Sequence, residues 1–96
     1  MDILVAYDID TTTRDGERRL SRVAAVCESY GIRRQYSVFE CRLSATRVER
    51  FKCELLDIIE AGVDTIDIYR FPGKLSDQRE TLGIRKSADP GSGWIV

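Results

Sequence analysis

The chain has 96 residues with 43% hydrophobic content, enough for one small domain with one core and too short for two. Fifteen Lys and Arg stand against sixteen Asp and Glu, so the net charge of -1 announces no nucleic-acid partner by itself and any basic surface must come from clustering. Histidine is absent, which excludes Ser-His and Cys-His triads and leaves carboxylates with a metal as the route to hydrolysis.

Cys27, Cys41 and Cys53 form neither an even set nor a C-x-x-C pair, which argues against a disulfide framework or a zinc site and reads as small core hydrophobes. No basic n-region precedes an apolar stretch, and no run of about 20 apolar residues occurs, so the expectation is a cytoplasmic protein without a membrane partner.

Ile3 to Tyr7 is a short, mostly apolar run that predicts a buried strand, with Asp8 at its C-terminal end. An acid there either caps a turn or holds a metal against a phosphate. The stretch DIDTTTRDGE predicts a loop into a helix capped by Thr13 or Asp15 and beginning near Gly16. Leu20, Val23, Ala24, Cys27 and Tyr30 recur at helical spacing, and Gly31 stands where a left-handed residue would close the helix. Arg18, Arg19 and Arg22 share one face near the helix start. Cations there oppose the macrodipole, so the cluster reads either as a solvated face or as a surface kept for an anionic partner.

IRRQYSVFECRL is rich in β-formers and long for one strand, so it predicts a sharply bent strand or two short ones. Ser44, and Thr46 with Glu49, offer an N-cap and a capping box; Val48, Phe51, Leu55, Ile58 and Ile59 supply the apolar face of a second helix running to Gly62. TIDIYRF alternates as a strand does and stops at Pro72 and Gly73. The order β-α-β-β-α-β predicts an α+β, ferredoxin-like sandwich with two helices over one sheet face. Residues 1–73 would form its core, and 74–96 a loop and C-terminal edge strand. Trp94, Ile95 and Val96 would be buried by that strand on a sheet edge, and reaching a second copy's sheet would complete a homodimer.

Guanidinium groups grip phosphate oxygens without reading sequence, so Arg14, Arg18, Arg19, Arg22, Arg33 and Arg34 are the candidate nucleic-acid contacts. Tyr7 is either a water-orienting group or a core residue, and Ser37 either a phosphate donor or a strand-surface residue. Tyr36 and Phe39 invite comparison with base-stacking aromatics on ferredoxin-like sheets, but the Gly-containing RNP1 pattern is missing and core or interface packing is the expectation.

Tyr7-Asp8-Ile9, the basic helix, Tyr30-Gly31 and then Gln35-Tyr36-Ser37-Val38-Phe39-Glu40 occur in an order and spacing that closely resembles the opening of the CRISPR-associated "Cas-two" family. The resemblance covers roughly the first half of the chain, and IDIYRF and GWIV look like the family's fourth and last strands. It implies a homodimer in which Asp8 faces its mate across the two-fold axis, one divalent ion between them. Magnesium suits such a site because it takes one or two carboxylates, phosphate oxygens and waters. Family members are metal-dependent endonucleases on single-stranded RNA or duplex DNA, or catalytically silent, and bridge dimers of the integrase "Cas-one" that inserts prespacer DNA. The resemblance makes Asp8 the catalytic and metal-binding candidate, and the chemistry of Tyr7 and Ser37 makes them accessory candidates beside it. A non-catalytic DNA-binding scaffold, and more remotely a ferredoxin-like ribonuclease toxin, are the alternatives.

Overall fold

The computed structural model describes residues 1–84; the expected edge strand with Trp94, Ile95 and Val96 lies outside them. Strand β1 (Asp2–Asp8), helix α1 (Arg14–Tyr30), β2 (Gly31–Gln35), β3 (Val38–Arg42), α2 (Ala45–Leu56) and β4 (Thr65–Phe71) follow in the expected order, and a short 3₁₀ turn spans Leu75–Gln78. The sheet runs β2-β3-β1-β4 with every pair antiparallel, the split βαβ arrangement of a ferredoxin-like α+β fold.

Strand β1 lies between β3 and β4, and its alternation decides what each sheet face carries. Ile3, Val5 and Tyr7 are buried in the core with Val23 and Cys27 of α1, Phe39 and Cys41 of β3, and Val48, Phe51 and Leu55 of α2. Leu4, Ala6 and Asp8 therefore point to the face away from the helices. Burying each large aliphatic or aromatic side chain of that core contributes about 1.5–3 kcal/mol. The helices meet at Tyr30, whose ring lies 4.7 Å from that of Phe51.

IRRQYSVFECRL resolves into two strands joined at Tyr36 and Ser37, with a register irregularity between Arg33 and Gln35. Gly31 is not a left-handed cap. Its φ of -156° is extended, and it is the first residue of β2. Glycine is needed for proximity: a Cβ there would lie 2.4 Å from both Cys41 Sγ and the Glu40 carbonyl oxygen. Helix α2 starts after Ser44, whose Oγ accepts from the Arg47 N–H, so the cap is Ser44 and not the Thr46–Glu49 box. It ends at Leu56, short of Gly62. Ile58 and Ile59 turn inward against the core, and Asp64 ties the Glu60 N–H into a separate turn.

The second sheet face carries two charged clusters. Asp2 accepts from Arg42 and from the Leu75 N–H, so the carboxyl is held below its usual range by Arg42 first, against burial and with help from Leu75. Glu40, buried on β3, pairs with Arg34 and Arg79. Together they fasten the segment after β4 across that face at Leu75 and Arg79. Cys53 departs from the expected core role and is exposed on α2. Among the described residues no helix is long and apolar enough to cross a membrane.

Candidate functional site

Asp8 is the last residue of β1. Its partner on β4 is Thr65, whereas pairing with β3 ends two residues earlier at Ala6 and Val38, so the exposed Asp8 carboxylate stands beyond the end of the β2–β3 hairpin. A groove of about 450 Å³ opens beside it, walled by Tyr7, Ile9 and Thr11, by Leu20, Ser21 and Ala24 of α1, and by Arg33, Tyr36 and Ser37 of the hairpin. Tyr7 and Ser37 thus share the groove with Asp8. The Tyr7 ring is buried and stacks at 6.2 Å on Phe39, while its hydroxyl donates to the Tyr36 carbonyl at 3.1 Å. Its backbone N–H donates to the Ser37 carbonyl, also at 3.1 Å. Tyr7 is therefore a core residue that holds the hairpin turn. Phe39 is fully buried as expected, but Tyr36 is 93% exposed.

The loop between Asp8 and α1 is built from both of its ends. Asp10 Oδ1 accepts from the Thr12 hydroxyl at 2.7 Å and the Thr12 N–H at 3.0 Å, bonds that lower its pKa and commit it to a local turn. Thr13 Oγ1 accepts from the Gly16 N–H at 3.0 Å and caps α1. Gly16 lies so close to the loop that a Cβ would fall 1.8 Å from the Asp10 carbonyl oxygen. From across the fold, Asp64 accepts from the Asp10 N–H at 2.9 Å, from Arg19 Nε at 2.8 Å and from the Glu60 N–H at 2.8 Å. Its side chain is wholly inaccessible. Burial pushes the Asp64 carboxyl up, but Arg19 and the two backbone donors outweigh it and the pKa falls below the ordinary value. Sequence reasoning did not single out Asp64. The available signal was an acid placed directly before an alternating strand, with no charge of opposite sign nearby in the chain.

The six candidate arginines divide. Arg14, Arg18 and Arg22, four residues apart, form an exposed stripe along α1, with Arg18 lying 3.6 Å from Asp15. Arg33 borders the groove, its guanidinium 5.0 Å from the Phe39 ring centroid and 3.3 Å from Glu28. Arg19 and Arg34 do not join this surface. Arg19 is drawn into the fold by Asp64, and Arg34 is held at 2.9 Å by Glu40 under the sheet. Both have partners distant in sequence or packed behind the strand, which local helix spacing does not reveal.

Among the described residues no three His, Cys, Asp or Glu side chains gather as a metal site. Among the described residues that line the groove, one chain offers one carboxylate, Asp8, and nearby Asp10 is already bonded to Thr12. Oxygen is the right donor for Mg²⁺, which keeps several waters and takes one or two carboxylates. The donor set of one chain fits such an ion only when a second copy contributes another carboxylate. The buried thiols of Cys27 and Cys41 are pushed up to about 12 by desolvation, which removes them as nucleophiles or metal ligands.

An exposed strand-end carboxylate beside a groove, with an arginine stripe on the first helix, on a ferredoxin-like sheet, defines a small α+β protein whose candidate site lies at one end of its sheet. The family model for CRISPR associated protein Cas2 matches residues 1–79, and the chain belongs to that family. It is 37% identical over 89 residues to a CRISPR-associated endonuclease Cas2 of Halalkalibacterium halodurans, covering 93% of each chain. A CRISPR-associated endoribonuclease Cas2 of Moorella thermoacetica is equally similar, at 37% over 89 residues and 93% of each chain. Among solved structures, Streptococcus pyogenes Cas2 superposes with a TM-score of 0.77 at 40% identity, covering 86% of this chain and all of that one.

Proposed function

We propose that the chain is a nucleic-acid-binding, nuclease-type protein of CRISPR adaptation that works as a homodimer. It would hold prespacer DNA or single-stranded RNA on its arginine stripe and bridge dimers of the integrase Cas-one. The observation that carries this reading is the exposed Asp8 carboxylate at the strand end, beside a groove walled by α1, the helix that also carries Arg14, Arg18 and Arg22, in a chain matched to Cas2 over 79 residues. The second sheet face, crossed by the described segment after β4 at Leu75 and Arg79 but with Leu4, Ala6 and Val38 only half-buried and Tyr69 52% exposed, supports a second copy as its cover.

Such a pairing would supply the second Asp8 that the donor chemistry requires. The chemistry of a Mg²⁺ held there is to acidify a water and to stabilise the leaving phosphate oxygen. Arg33 and the α1 stripe bind and orient the backbone, and Tyr7 fixes the turn that forms the far wall. A scaffold without catalysis is the second reading, and one observation favours it: among the described residues Asp8 is the one acid lining the groove, with no second carboxylate beside it to act as a general base.

The test is cleavage of labelled single-stranded RNA and duplex DNA by wild type and Asp8→Asn, each with magnesium and with chelator, after both proteins are shown to fold and dimerise alike. Cutting by wild type that both the substitution and chelation abolish supports the shared-carboxylate nuclease. Absence of cutting, or equal cutting by both proteins, refutes it and leaves the scaffold.

A further inference from the structure

The β2–β3 turn displays a ring that its own fold does not use. Tyr36 is 93% exposed, yet its backbone is held in place by the Tyr7 hydroxyl, and the next carbonyl by the Tyr7 N–H, both at 3.1 Å. Turns that serve only to reverse the chain favour Gly, Asn and Asp, not a large aromatic left in water. The ring borders the groove of about 450 Å³, a size within the roughly 300–1,000 Å³ of small-ligand sites. The opposite wall is apolar, formed by Leu20 and Ala24 of α1. Leu20 is 37% exposed although it sits on the helix's apolar stripe, because it borders the groove instead of the core. Thr11 and Ser37 supply hydroxyls, Arg33 a cation, and Asp8 stands at the same rim.

An aromatic plate, an apolar wall, hydroxyl groups and a guanidinium suit a flat heteroaromatic ring with polar edges on a phosphate-bearing chain. In a duplex each base is covered on both faces by its neighbours, whereas an unpaired base can stack on a side chain. We infer that this groove receives one unpaired nucleobase of a single-stranded nucleic acid, stacked on Tyr36, so that the adjoining phosphate lies toward Asp8. The inference rests on the proposed Asp8 reading and deepens it by naming Tyr36 as the residue that holds a base of a single strand beside that carboxylate. The fold prepares the site through Tyr7, which holds the platform from within the core.

The experiment measures binding to the full-length protein by fluorescence anisotropy with three probes: a labelled thymidine octamer, an octamer with the same phosphates but no bases, and a blunt duplex. Wild type, Tyr36→Ala and Tyr36→Trp are compared, with Asp8→Asn in parallel and sedimentation velocity on every protein. The expected result is a loss of roughly 5- to 100-fold for Tyr36→Ala on the thymidine octamer, with Tyr36→Trp restoring it. Binding to the base-free octamer and to the duplex changes less than about twofold, since those contacts are to phosphate. An equal effect of Tyr36→Ala on all three probes, or no effect on any, overturns the inference. A change in oligomeric state on Tyr36→Ala also overturns it, because the ring then belongs to a contact between copies. The two readings separate cleanly. Selective loss with Tyr36→Ala alongside a wild type that never cuts leaves the base site standing without the nuclease, and cutting that Tyr36→Ala leaves untouched removes the base site alone.

Discussion

Replacing Asp64 with alanine tests whether the loop after Asp8 is held from the far side of the fold. The substitution removes a wholly inaccessible carboxylate on which the Asp10 N–H, the Glu60 N–H and Arg19 converge. Losing a buried acceptor shared by several donors costs about 3 kcal/mol, against a total stability of roughly 5–15 kcal/mol for a domain of this kind. At about 4–8 °C per kcal/mol for so short a chain, the melting temperature should fall by roughly 12–24 °C. Asp64→Asn keeps one acceptor oxygen and loses the charge, so it should fall between alanine and wild type. The pH dependence follows from the lowered native pKa. The native carboxyl ionises more readily than the unfolded one, so its contribution is complete above about pH 4 and is lost as pH falls through the lower native value. The gap between wild type and Asp64→Asn should therefore be constant near neutrality and close in acid. Thermal unfolding followed by circular dichroism from pH 7 to pH 2 measures both. An alanine variant that melts within about 4 °C of wild type at pH 7, or a gap that widens in acid, refutes the reasoning.

Two further outcomes follow from the packing. Helix propensity alone predicts that Gly16→Ala gains about 1 kcal/mol, but its Cβ would fall 1.8 Å from the Asp10 carbonyl oxygen, so the sign reverses to a net loss of about 1–3 kcal/mol, read as an earlier urea midpoint. Native protein at pH 8 should titrate one fast thiol, Cys53, with an aromatic disulfide reagent, and Cys27 and Cys41 should react only on unfolding; more than one fast thiol would contradict their burial.

The parts of the molecule legible in the sequence are those whose cause is local. The β1 run, the Thr13 and Ser44 caps, the α1 stripe of Val23 and Cys27 and the alternation of β4 each follow from spacing within a few residues. Gly31 was misread because a glycine after a helix has two physical uses, a left-handed turn and a close approach, and only the position of Cys41 distinguishes them. The helix expected to run to Gly62 stops at Leu56 because Asp64 competes for its backbone, a contact that exists only after folding. Asp8 was singled out from its place at the end of an apolar run, and the structure puts an exposed carboxylate at that strand end. Arg19 and Arg34 were grouped with the surface arginines because charge type is visible in sequence and their partners, 45 and six residues away, are selected by the tertiary packing. Tyr36 was expected in the core or an interface because aromatic residues in a β-rich run usually are buried, and the turn that lifts it out of the core is set by Tyr7 from another strand.

Helix α1 ends at Tyr30 and β2 begins at Gly31 with no residue between them. This junction has no slack. One added residue would rotate the helix by about 100° relative to the strand, or exchange the two sides of the strand. Length variation must therefore be absorbed elsewhere, in the stretch between α2 and β4 or in the loop after Asp8, while helix and hairpin stay geared together. A tilt of α1 would swing the Tyr36 tip as the far end of the same lever.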